Sequence, residues 1–156
     1  MPMKYLLAFA MLFIAPLTEV RAQQITSMDP TSILTYLKVK KAAAQIEKDS
    51  DGNPAIFAKS DDQVFVVLFY GCKEAKACRA IQFRTNEKPA KPISAERINA
   101  WNAIKKFNKA YLTDKGEPYV VMEVVLGEKG LDIADFDTVF SLWKLSMKEF
   151  ADFAKS

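Results

Sequence analysis

Apolar and polar residues change rhythm several times along this chain, and each change predicts an element. Residues 23–28 form a short polar leader. In "DPTSILTYLKVKKAAAQIEKD", Asp29 suits a helix N-cap and Pro30 the first turn. Ile33, Tyr36, Leu37 and Ile46 fall on helical spacing, and the strong helix formers of "KKAAAQIEK" extend the predicted helix to the break "DSDGNP" at Asp49–Pro54. Three strand patterns follow. "AIFAK" is short, "QVFVVLFYG" (Gln63–Gly71) is rich in β-branched and aromatic residues, and "CRAIQFRT" (Cys78–Thr85) alternates. In the last, Ala80, Gln82 and Arg84 share one face, and Ile81 and Phe83 the other. "KSDD" and "KEAKA" are the turns between them. Val64–Tyr70 is apolar on both faces, which predicts a central strand with helices or a partner subunit over its second face.

After the loop "NEKPAKP", Ser94 caps a second helix, "AERINAWNAIKKFNK", with Glu96 in its first turn and Ile98, Trp101, Ile104 and Phe107 as its inner face. "AYLTD", the turn "KGEP" and "YVVMEVVL" form a second hairpin, ended by "GEKG". "LDIADFDTVFSLWKLSMKEFADFAKS" is a long C-terminal helix with a stripe of Phe136, Val139, Phe140, Trp143, Met147, Phe150 and Phe153. The predicted order is α-β-β-β-α-β-β-α. That is an α+β fold with a five-stranded antiparallel sheet packed with helices, in one domain over residues 23–156.

The N-terminus changes the picture of where this domain works. Lys4 precedes "YLLAFAMLFIAPL", and Val20 and Ala22 stand at the −3 and −1 positions of a cleavage after Ala22. This order reads as a secretory signal peptide over residues 1–22. Its apolar run falls short of the ~20 residues needed to span a bilayer. The expected product is therefore exported, periplasmic or secreted, with no integral membrane segment after cleavage. Losing Lys4, Arg21 and Glu19 lowers the formal net charge from +3 to +2, too little to suggest a nucleic-acid partner.

Export also decides how the two cysteines, Cys72 and Cys78, are read. Paired thiols oxidise outside the cytosol. The spacing is not the C-x-x-C of a thioredoxin-type site, and a metal site needs about four ligands. A structural disulfide across the mouth of a hairpin is the leading reading, worth about 2–2.5 kcal/mol for so short a loop. A thiol-redox pair is the alternative.

Little else in the chain points to chemistry. With no histidine, Ser-His-Asp and Cys-His mechanisms are out of reach, and no phosphate-binding glycine motif is present. "DSDGNP" resembles the start of a calcium loop, but the twelfth position is Ser60 where a Glu is needed. Glu123 stands alone in an apolar strand and reads as a rim residue. No catalytic residue, metal site or cofactor is expected.

"FYGCKEAKACRAIQF", "ISAERINAWNAIKKFNKAYL", "YVVMEVVLGEKG" and "LWKLSMKEF" together resemble the bacterial YbjN family, its exported, cysteine-bearing branch most. The likeness runs from Asp29 to Phe153. It implies a fold like that of type III secretion chaperones and a role as a sensory transduction regulator, with no catalytic residues to carry over. Cys72 and Cys78, Asn99, Trp101 and Asn102, and the glycines Gly127 and Gly130 match its motifs, whereas the charged "KEAKA" departs from a more glycine-rich turn. The expected function is non-enzymatic binding of a protein or peptide, chaperone-like or regulatory, with a homodimer as one form of partner. Asn99, Trp101, Asn102, Phe140, Trp143 and Phe150 are the candidate interaction residues. A small-molecule or lipid-binding protein, with its pocket between sheet and C-terminal helix, is the remaining alternative.

Overall fold

The computed structural model describes residues 24–156, so the signal-peptide reading and the cleavage after Ala22 lie outside the described residues. The elements are β1 (Gln24–Ile25), α1 (Pro30–Val39), β2 (Ala43–Lys48), β3 (Pro54–Ser60), β4 (Gln63–Tyr70), β5 (Ala80–Asn86), α2 (Ala95–Ile104), β6 (Lys109–Leu112), β7 (Pro118–Val125), β8 (Leu131–Asp132) and α3 (Ile133–Lys155). Six strands form one antiparallel sheet in the order β2-β3-β4-β5-β7-β6, and β1 pairs with β8 apart from it. The α+β class holds, but the main sheet has six strands where five were expected.

The sixth strand comes from the sequence expected to extend the first helix. Asp29 caps α1 as predicted, its carboxylate accepting from the Thr31 amide at 3.0 Å. The helix then stops at Val39. Lys41 takes a left-handed conformation (φ 63°) and donates to the Lys38 carbonyl, while the Ala42 amide donates to the Leu37 carbonyl. This is a Schellman ending with lysine in the place usually held by glycine. Ala42 and Leu37 are both buried, closing the apolar contact that accompanies the motif. Beyond it, Ala43–Lys48 pairs residue by residue with β3. Ladder pairing overrides a helix propensity worth only tenths of a kcal/mol per residue.

The core lies on one face of the sheet. Phe65, Val67 and Phe69 of β4, Ile81 and Phe83 of β5, and Val120 and Met122 of β7 alternate inward and are buried. α3 lays its predicted stripe over them. Trp143 stacks on Phe83 at 5.5 Å, Phe140 and Trp143 meet Phe65 at 6.1 Å, and Tyr36 of α1 closes edge-on against Phe136 at 4.8 Å. α2 runs beside β6 and turns Trp101 against Phe150 and Phe153.

α2 is shorter than predicted, and its inner face is Ile98 and Trp101 only; Ile104 and Phe107 are 73% and 62% exposed. Steps of three residues drift about 60° each around a helix of 3.6 residues per turn. Phe107 would thus oppose Ile98 even had the helix continued, and the chain turns extended at Lys105.

The polar leader is structural as well. Ile25 of β1 is buried, and the buried Ser27 hydroxyl donates to the Cys78 carbonyl at 2.8 Å. Gly130 permits this approach: a Cβ there would sit 2.4 Å from the Ile25 carbonyl oxygen.

Candidate interaction surface

All the described helices leave one face of the main sheet uncovered. Strand alternation populates that face in rows that follow the register. One row runs Gln45, Phe57, Val66, Arg84, Val121 and Lys109 across all six strands. A parallel row runs Glu47, Ala55, Leu68, Gln82 and Glu123. Val64, Tyr70, Tyr111 and Tyr119 fill the flanks. Leu68 and Val121 are buried by their neighbours alone, whereas Val64 is 62% exposed and Phe57, Tyr70 and Tyr111 are exposed too. The double-sided apolar character of Val64–Tyr70 is thus real, and the strand is central, but no helix supplies its second cover.

Arg84 is the charge at the middle of this face. Its guanidinium lies 5.5 Å over the Tyr119 ring, and Tyr119 stacks in turn on Tyr111 at 5.5 Å. Among the described residues Arg84 makes no ion pair. The nearby carboxylate of Glu123 is already engaged, by Gln82 at 3.1 Å and Lys109 at 3.5 Å. Burial pushes the Tyr70 phenol above its usual pKa, against the opposing pull of Arg84.

Of the predicted interaction residues Asn102 borders this face, beside Tyr111 and Val121, and most of the others are structural. Trp101, Phe140, Trp143 and Phe150 are buried in the core rather than displayed to a partner. The Trp101 indole donates to Asn108 at 2.9 Å, Asn108 donates to Ser146 at 2.7 Å, and Ser146 donates to the Leu142 carbonyl at 2.8 Å. Asn102 accepts from the Ala110 amide at 2.8 Å and donates to its carbonyl at 3.0 Å, pairing the outer edge of β6 as a neighbouring strand would. Asn99 alone is exposed. The space expected to hold a lipid, between sheet and α3, is filled by the rings of Phe65, Phe83, Phe140 and Trp143.

Cys72 and Cys78 are disulfide-bonded, and Cys78 is fully buried. Inside their loop Lys73 and Lys76 bond each other's backbone around Glu74 and Ala75, both left-handed at φ 50° and 59°. With Ala77 at φ 47°, three left-handed residues stand where a more glycine-rich turn was expected, inside the closed ring. At "DSDGNP", Asp49 accepts from the Asp51 and Asn53 amides at 3.0 and 2.8 Å, which makes it a turn-former. Among the described residues no three His, Cys, Asp or Glu converge as metal ligands, and no helix is long and apolar enough to cross a membrane.

Residues 29–155 match the model of the YbjN family, described as "putative bacterial sensory transduction regulator". The chain belongs to the YbjN family. No protein of curated function and no solved structure matches it. The YbjN match spans every element from α1 to α3, so both the disulfide hairpin and the open sheet face lie within the family's domain. The family's description is that of a regulator and names no reaction.

What the sequence did not single out is Arg84 with its tyrosines. The signal was present in the alternation that set Arg84 on the polar side of β5 and in the second apolar face of β4, which face the same way.

Proposed function

We propose that this YbjN protein is an exported, non-enzymatic binding protein that holds a segment of another protein against the open face of its sheet, in a regulatory or chaperone-like role. One observation carries the reading. A six-stranded sheet keeps buried or half-buried Val66, Leu68 and Val121 on a face without a helix, rimmed by exposed Phe57, Val64, Tyr70 and Tyr111. Apolar area left to water on this scale favours a partner, at roughly 25 cal/mol per Å² covered. The family's regulatory description supports the same reading, since regulators act by binding. The buried Cys78 supports a structural bridge over a thiol-redox pair. Export rests on the leader "YLLAFAMLFIAPL" and on a disulfide that suits an oxidising compartment.

A photo-crosslinking amino acid placed at Val66 or at Ser141, on the exposed side of α3, tests the binding face in the producing cell. The expected outcome is a discrete protein adduct from position 66 and none from position 141. Adducts from 141 alone would transfer the function to the helical side.

A further inference from the structure

Two depressions of about 420 and 430 Å³ lie on the open face and share Tyr70 and Arg84 as their common wall. One is floored by Ala55, Phe57, Val66 and Leu68, and the other by Tyr111 and Val121. Together they make a shallow trough that crosses the strands with a single cation at its centre. The remaining charges along it, Lys48, Asp49 and Asp51 in one depression and Lys109 and Glu123 in the other, have partners or places of their own. Glu123 is held by Gln82 and Lys109, and Asp49 accepts two amides in the turn that closes one end, beside Asp51 and Lys48.

A guanidinium stacked on an aromatic ring presents its in-plane N–H donors outward, the arrangement suited to a carboxylate. A second copy fits poorly, because a two-fold axis through the middle of the face would set Arg84 against its counterpart. An extended segment fits well. Its alternate side chains point the same way about 6.6 Å apart, and strands in the sheet beneath lie about 4.8 Å apart. An acid over Arg84 therefore puts the side chains two before and two after it over the two apolar floors. We propose that the open face recognises an extended internal segment of a partner protein with an acidic residue between two apolar residues at alternate positions, the acid pairing with Arg84. This rests on the reading of the open face as the binding surface. Tyr70, which lines both depressions with Arg84, brings a phenol to the same trough.

Selection of displayed random ten-residue peptides on the intact protein tests both layers separately. The expected result is an enriched apolar-x-acidic-x-apolar pattern. Synthetic peptides of that pattern, amide-capped to remove the terminal carboxylate, should bind about tenfold more weakly when the central Glu becomes Gln. Arg84→Gln, checked for an unchanged melting transition, should bind both peptides equally. The peptide-side change needs no variant, so misfolding of Arg84→Gln would not hide the answer. Peptides enriched without an acid, or a Glu preference that survives Arg84→Gln, would overturn the acid-reading proposal and leave the face as a docking surface. No enriched peptide at all, or saturable uptake of decanoate in its place, would overturn the docking reading as well.

Discussion

Asn102 and Asn99 lie three apart on one helix, and sequence alone gives them equal standing. The structure separates them. Asn102 satisfies both backbone groups of Ala110 on the outer side of an edge strand, and Asn99 is exposed. Unpaired edge groups invite pairing with other chains, so Asn102 also guards β6. Asn102→Ala should cost about 1–3 kcal/mol in chemical denaturation and Asn99→Ala close to nothing. Trp143 belongs both to the predicted apolar stripe and to the candidate interaction residues, and it is fully buried. Its indole N–H has no partner among the described residues, so the ring is held by packing on Phe83 and Phe65. Trp143→Ala should therefore cost about 3–5 kcal/mol, read from the same denaturation curves. A loss near zero would place the ring at the surface.

At the scale of elements, legibility followed the strength of the local signal. Two of the three capped helix starts, Asp29 and Ser94, were readable because an oxygen-bearing side chain at an N-cap has a local partner; the third cap is Asp132, which accepts from the Asp135 amide. The end of α1 was not, because its left-handed residue is Lys41 and carries none of the glycine signature. Lys41→Gly should remove that strain and raise stability by about 1 kcal/mol, seen as a higher denaturation midpoint with an unchanged slope. The two-residue strands β1 and β8 are too short for any periodicity, and only the tertiary approach at Gly130 defines them. The cysteine hairpin was legible from its spacing together with the leader that predicts export. Cys72→Ser should lower stability by about 2 kcal/mol and leave the circular dichroism spectrum of the fold intact. Unfolding at room temperature would mean that the core is weaker than its aromatic stack implies.

For the whole molecule, the residues of the open face were readable but its lack of a helical cover was not. Alternation set Gln82 and Arg84 outward, and a solvated face is the ordinary meaning of such a pattern. Only the placement of the helices changes that meaning. With α1 and α3 on the core side and α2 beside β6, the second apolar face of β4 has no cover of its own. Exposed apolar residues away from this face include Val39 on α1, Ile104 on α2 and Phe107 just past it, none of them in the register rows of the sheet. Hydroxyl-radical footprinting of the whole protein, free and saturated with a peptide selected on it, compares the two surfaces directly, because aromatic and aliphatic side chains report their own exposure. The account predicts that Phe57, Tyr70, Tyr111 and Tyr119 become protected while Val39, Ile104 and Phe107 keep their reactivity. Protection confined to the helical residues, with the tyrosines of the sheet still reactive, would contradict it.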